Sequence, residues 1–215
     1  MLFFDLGWTI EDETLSQIDR AEKAVKCCSE FGIKVSVERI IELQDEGGAQ
    51  GVANVFKYAL SCIGLSADQI LTVTEKAAWD PAKLTLYHDA RTVLYELSHK
   101  HDLGIIANQS KPVDDRLRQY GIYHLFKVVI SSCDVGLEKP EHGIFRLALE
   151  KAGLPNDNVW MIGDRIDNDI IPAKELGWGT IRIRNGSHRM REPSDDRQTA
   201  DYTIRNIREL LGIFA

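Results

Sequence analysis

Five short apolar runs punctuate the chain, each ending in small or polar residues: LFFDL at 2–6, LGIIA at 103–107, VVIS at 128–131, VWMI at 159–162 and TIRI at 180–183. Unbroken apolar runs of this length are what strands look like when both faces of their sheet are covered. After the later runs the spacing turns helical, with PVDDRLRQYG after the second, EHGIFRLALEKAG after the third and DIIPAKELG after the fourth. Glycines at 121, 153 and 177 stand where helices end. Strands alternating with helices predict an α/β fold built on a parallel sheet with right-handed crossovers.

The first run breaks the rhythm, because the next follows only close to a hundred residues later. Residues 13–82 carry helical periodicity instead, in LSQIDRAEKAVKCCSEFG, VERIIELQ, VANVFKYALSCIG and DQILTVTEKAAW, with one glycine-rich gap, EGGAQG at 46–51, expected to be a flexible turn. Pro81 stops the last of these helices, and ARTVLYELSHKH leads back to the sheet. The expected organisation is a core of residues 1–12 and 83–215 with a helical domain, 13–82, inserted after the first strand.

Composition narrows the class. The 215 residues are 44% hydrophobic and 27% charged, with no apolar run of membrane-spanning length, so no membrane association is expected. Asp5 interrupts the opening apolar stretch too early for a secretion leader, which points to a cytoplasmic protein. The four cysteines form neither a CxxC pair nor a zinc spacing and read as free, buried thiols. A net charge of −7 and the lack of a long basic block argue against a nucleic-acid partner; RIRNGSHRMR at 182–191, the nearest candidate, reads as a solvated edge.

Ligands of open α/β sheets bind beyond the carboxyl ends of the strands. The residues gathered there are Asp5, Ala107 with Asn108, Ser131 with Ser132, and Gly163 with Asp164. GDRIDND turns from strand into helix and brings Asp169 over the same edge, while Lys139 in GLEKPEHGIF precedes a helix that Pro140 is placed to start. Taken singly, Asp164 and Asp169 read as helix-capping acids and Lys139 as a surface lysine. Three carboxylates and a lysine at one crevice instead suit phosphoryl chemistry: oxygen ligands for Mg²⁺, a cation to offset developing charge, and an ionised carboxylate able to attack phosphorus.

The set FFDLGWTI, LGIIANQS, GLEKPEHGIF and VWMIGDRIDND, in that order and with a helical insert after the first, resembles the haloacid dehalogenase-like (HAD) hydrolase superfamily with an inserted C1-type helical cap. The likeness spans nearly the whole chain, and GDRIDND resembles the family's GDxxxND form. It implies a Rossmann-like core and an Mg²⁺ cofactor. Asp5 would be the nucleophile and Lys139 the third-motif lysine. Asp164 and Asp169 would be metal acids, joined by Asp5 and by the main-chain carbonyl of Gly7. Asn108 and Ala107 would lie against the phosphoryl group, and Trp8 at the pocket mouth.

Two positions depart from the family pattern. Gly7 stands where most phosphatases of the family have a second aspartate that protonates the leaving group, and Ala107 where they have Ser or Thr. The missing acid removes assistance worth roughly 10² to 10⁴ in rate. The expected function is still an Mg²⁺-dependent phosphatase of a small phosphorylated metabolite, with weakened activity. The rival is a catalytically silent relative that binds a phosphorylated ligand or a protein partner. Haloacid dehalogenation ranks third, because Ala107 departs from that branch as well. YHDA at 87–90 and HKHD at 99–102 read as solvated loops rather than as a His-Asp metal site.

Overall fold

The computed structural model describes residues 1–110 and 112–214. The strands are β1 (Leu2–Phe4), β2 (Glu11–Asp12), β3 (Thr85–Leu86), β4 (Leu103–Ala107), β5 (Phe126–Ser131), β6 (Trp160–Gly163), β7 (Gly179–Ile183) and β8 (Tyr202–Ile204). Six of them form one sheet in the order β5-β4-β1-β6-β7-β8, every neighbouring pair parallel, while β2 and β3 pair separately. The chain divides into two compact units. One comprises Met1–Glu11, Leu86–Asn185 and the chain from Pro193 on; the other comprises Asp12–Thr85 and Gly186–Glu192.

In the first unit the sheet is covered on both faces, which explains the unbroken apolar runs. Leu2 and Phe4 enter one apolar cluster with Val93, Leu94 and Leu97, while Phe3 between them enters another with Ile144, Phe145 and Ala148. Phe3 also stacks on Trp178, ring centroids 5.3 Å apart. Strand β1 lies in the middle: the chain adds β4 and β5 on one side and then crosses over to add β6, β7 and β8 on the other. That reversal opens a crevice beyond the end of β1, where Asp5 follows.

Strand β8 is absent from the apolar pattern because it is an edge strand: Tyr202 and Thr203 are exposed and only Ile204 is buried. The helix after Lys139 starts at His142 with Glu141 as its N-cap residue, two positions beyond Pro140. His101, expected in a solvated loop, is half-buried, with its ring edge-on to Phe214 at 5.4 Å between centroids.

The second unit is helical. Its helices α1 (Thr14–Glu30), α2 (Val37–Ala49), α3 (Val55–Cys62) and α4 (Ala67–Lys76) close over a core that includes Cys27, Cys28, Leu43, Phe56 and Leu60. Ser36 caps α2, and Ser66 with Gln69 forms a capping box on α4. All four cysteines are free, but Cys62 and Cys133 are exposed, so the expectation of buried thiols holds only for Cys27 and Cys28. Among the described residues no helix is long and apolar enough to cross a membrane.

Two expectations fail together in this unit, and for one reason. The EGGAQG stretch is no flexible turn: α2 runs through Gly47 and Gly48 to Ala49, is capped by Gln50, and the chain turns away at Gly51, where φ is 78°. The segment read as a solvated basic edge supplies the explanation. A Cβ at Gly48 would collide with the carbonyl oxygen of Ser187, and one at Gly47 would come within 2.6 Å of the Tyr58 ring. Ser187 and His188 are buried, Gln17 donates to the Ser187 hydroxyl at 3.0 Å, and both Nη atoms of Arg189 reach the Asp45 carboxylate at 2.8 and 2.5 Å. Residues 186–192 therefore cluster with the helical unit, although they lie far along the chain from it.

This packing reverses the usual sign of a glycine substitution. In an open helix Gly→Ala stabilises by about 1 kcal/mol. Gly48→Ala is expected instead to destabilise by roughly 1–3 kcal/mol through overpacking, read as a lower midpoint in thermal or denaturant unfolding. A raised midpoint would show that the 186–192 segment does not press on α2.

Candidate active site

The first residue beyond β1 is Asp5, whose N–H donates to the Ile162 carbonyl at 2.8 Å and so registers it against the end of β6. At that end Gly163 leads into Asp164, and a π-helical turn over Ile166–Ile170 carries Asp169 back to the strand. Asp169 is fixed by the Arg165 N–H, which donates to its Oδ2 at 3.0 Å. Only glycine fits at 163, since a Cβ there would overlap the Asp169 carboxylate. One carboxylate oxygen from each of Asp5, Asp164 and Asp169 lies within 4.8 Å of the others.

Lys139 reaches the same point from the connection between β5 and the helix His142–Ala152. Its ammonium donates to Asp5 Oδ1 at 2.6 Å and to Asp169 Oδ1 at 2.6 Å, with the lysine side chain 2% exposed. Its main chain is held as firmly: Asn108 Nδ2 donates to the Lys139 carbonyl and the Lys139 N–H donates to Asn108 Oδ1, both at 2.8 Å. Both polar atoms of the Asn108 side chain thus serve to place the lysine. Ala107, the last residue of β4, is fully buried and offers only a methyl group.

Burial alone would depress the Lys139 ammonium, but the charges of Asp169 and Asp5 outweigh it and hold the pKa above its ordinary value. Burial, then the neighbouring charges of Asp169 and Asp5, push the Asp164 carboxyl well above the usual carboxylate range. Burial likewise raises Asp169, and although Lys139 pulls against it the net value is pushed up to about 6. The group carries more negative charge than its one lysine offsets, and its donors are all hard oxygens, which fits a small divalent cation.

Gly7 is joined to Glu11 by an isolated backbone bridge, and Leu6 O accepts the N–H groups of Ile10 and Glu11 at 2.9 and 2.8 Å, so the turn after Asp5 is tight. Trp8 lies in that turn, half-buried, with φ 54°, and its carbonyl accepts from Asn185 Nδ2 at 3.0 Å. Two features differ from, or escaped, the sequence reading. Arg182 of β7 begins the 182–191 stretch expected to be a solvated edge, yet it is 3% exposed and its Nε donates to the Asp164 carbonyl at 3.4 Å. Glu11, fully buried, receives Arg116 Nε at 2.5 Å and Nη2 at 3.1 Å. Only a carboxylate directly following Ile10 hints at the latter, and nothing marks Arg116 in DDRLRQ as its partner.

A family model described as haloacid dehalogenase-like hydrolase matches residues 2–183, which takes in every residue of this cluster. The chain belongs to the haloacid dehalogenase-like hydrolases. Within that family it is 29% identical to a glyceraldehyde 3-phosphate phosphatase of Methanocaldococcus jannaschii, over 99% of this chain and 95% of the relative. It is 26% identical to the protein of the same name from Methanopyrus kandleri, with the same coverage. Among solved structures, a HAD phosphatase from Thermococcus onnurineus superposes with a TM-score of 0.63 at 26% identity, covering 100% of this chain and 97% of that one. A HAD-hydrolase from Bacillus subtilis, solved bound to magnesium, shares the fold with a TM-score of 0.71 at 21% identity, covering 99% and 97%.

For a HAD-like hydrolase with this cluster, metal-free stability must depend on pH in a particular sense. Asp169 has a folded pKa of about 6 against an ordinary 3.8, so between those values the folded chain binds more protons than the unfolded one. Its contribution therefore falls as pH rises through that window. In chelator, the melting temperature of the wild-type chain relative to Asp169→Asn is expected to drop as pH is raised from about 4 to about 6. A difference that stays flat, or rises, would show that Asp169 is not forced to ionise against its surroundings.

Proposed function

We propose that this chain is an Mg²⁺-dependent phosphatase that hydrolyses the phosphate ester of a small metabolite through an aspartyl-phosphate on Asp5. The observation that carries this is the single ammonium of Lys139, 2.6 Å from both Asp5 and Asp169, with Asp164 in the same cluster. Among the three acids the side chain of Asp5 is 15% exposed, while Asp169 and Asp164 are buried. Asp5 is thus the carboxylate a substrate can reach, with Lys139 beside it. The phosphatase names of the archaeal relatives support the same reaction class.

In this reading an Asp5 oxygen attacks phosphorus, the P–O ester bond breaks, and the leaving alkoxide takes a proton from water, because Gly7 has no side chain to supply one. Water then attacks the aspartyl-phosphate, releasing inorganic phosphate and restoring the carboxylate. Lys139 stays beside Asp5 throughout and offsets charge on the phosphoryl oxygens. Asn108 keeps the lysine in place through both of its main-chain groups. Asp5, Asp164, Asp169 and the Gly7 carbonyl would hold Mg²⁺, which when bound supplies further positive charge to the phosphoryl oxygens. The helical unit takes the part of the cap that selects the substrate. The alternative of a silent ligand-binding relative draws on Gly7 and Ala107, but such a protein has no need of a charged cluster whose buried acids are raised against ionisation.

Phosphate release from a panel of phosphorylated metabolites, beginning with glyceraldehyde 3-phosphate, tests the proposal. Turnover is expected with Mg²⁺ and is expected to vanish with chelator or in Asp5→Asn; Lys139→Met should lower kcat by about 10² or more, as removal of one charge-stabilising group does elsewhere. No turnover on any substrate, together with Mg²⁺-dependent binding of a phosphate mimic, would establish the silent relative instead.

A further inference from the structure

Glu11 and Arg116 have no part in the chemistry described so far, yet their placement ties the two turns that flank Asp5. Glu11 closes the turn after β1, through its own N–H on the Leu6 carbonyl and its backbone bridge to Gly7. Arg116 belongs to the helix Asp114–Gln119, on the connection that leaves β4. Besides its two bonds to Glu11, Arg116 Nη2 donates to Gln109 Oε1 at 3.1 Å. Gln109 follows Asn108, and its main chain exchanges bonds with the Ser132 hydroxyl at 3.0 and 3.2 Å. A ring of contacts results. It runs from Asp5 to Lys139, through Asn108 to Gln109, through Arg116 to Glu11, and back along the Glu11–Leu6 bond to Asp5.

The composition of the ring argues for a purpose other than packing. A carboxylate with no exposed surface is a poor source of stability, because desolvation opposes the gain from pairing, and burial does hold Glu11 above its ordinary pKa despite Arg116. A guanidinium is the side chain whose planar fork can grip one carboxylate with two N–H groups and still give a third to an amide. Its effect is directional: it fixes the distance between the Gly7 turn and the Asn108–Gln109 turn.

We propose that Glu11 and Arg116 are a positioning pair for the reaction at Asp5, clamping the turn after β1 to the turn after β4 so that the groups on either side of the attacking carboxylate keep their spacing. This rests on the phosphatase reading above. Displacements of about 1 Å at such a site lower rates by up to about 10²-fold.

The decisive variant is the double replacement Glu11→Leu with Arg116→Leu, which removes both charges together and replaces them with apolar side chains, a change that buried pairs often tolerate without loss of stability. It is compared with the wild-type chain in melting temperature, in kcat and KM for phosphate release, and in Mg²⁺-dependent beryllofluoride binding followed by fluorine NMR. The expected result is a melting temperature near that of the wild-type chain, kcat lowered by about tenfold to a hundredfold with KM little changed, and weakened beryllofluoride binding. Arg116→Lys keeps the charge on Glu11 but loses the fork. It is expected to stay folded and to lose kcat in the same way, so it decides the matter even where the double variant does not fold. Wild-type kcat in either folded variant overturns the positioning role and leaves the phosphatase reading intact. A wild-type chain that binds beryllofluoride without turnover overturns the phosphatase reading alone, and the clamp is then judged on beryllofluoride affinity. A wild-type chain that does neither overturns both.

Discussion

Three carboxylates brought to the edge of one sheet repel each other and resist leaving water, so the arrangement exists only because a positive charge stands among them. Lys139 is that charge, and much of the surrounding structure is organised to put it there. Its ammonium bridges Asp5 and Asp169, its main chain is gripped at both polar atoms by Asn108, and its side chain is almost wholly withdrawn from solvent. Burial first, and the neighbouring acids after it, hold the carboxyl groups of Asp164 and Asp169 above their ordinary range in spite of Lys139. A site left electrostatically short of positive charge is one that gains from taking up a cation or from carrying the proton that a cation would displace.

The sheet topology explains why these four residues meet. Asp5 closes the central strand, Asp164 and Asp169 follow the neighbour on one side, and Asn108 follows the neighbour on the other. Each is within a few residues of a strand end, where backbone register, fixed by parallel pairing over both faces of a packed core, sets position more firmly than any loop would. Gly163 shows how close the fit is: the Asp169 carboxylate occupies the space that any other side chain would claim.

What was legible in the sequence was what depends on local pattern. The apolar runs at 2–6, 103–107 and 159–162 exposed the central strands because burial on both faces leaves no room for polar alternation, and Asp5, Asn108 and Asp164 drew attention by standing at the ends of those runs. The residues that escaped notice act through distant partners. Strand β8 has one buried residue and no run to betray it. Gly47 and Gly48 have the composition of a turn, yet they are helical because Tyr58 and Ser187 press against them, and the second of these lies more than a hundred residues away. Glu11 and Arg116 are likewise unremarkable until the fold buries one against the other. Local rules describe a residue's preferences, and long-range contact decides which preference is used.

Gly7 and Ala107 are the two positions read from the sequence resemblance as departures from a phosphatase pattern, and the electrostatics give the first of them a physical context. An aspartate at 7 would stand two residues from Asp5, at the backbone bridge to Glu11, adding a further acid to a neighbourhood where the buried carboxyl groups of Asp164 and Asp169 already ionise with difficulty. Leaving it out relieves that repulsion and forfeits the assistance the acid gives, about 10² to 10⁴ in rate where leaving-group protonation is limiting. The forfeit varies with substrate: a leaving group that departs readily as an anion needs little protonation, while a simple alkoxide needs much. On the phosphatase reading proposed above, discrimination by leaving group would follow from the site itself, favouring substrates whose departing oxygen is acidic or can find a proton in bound water.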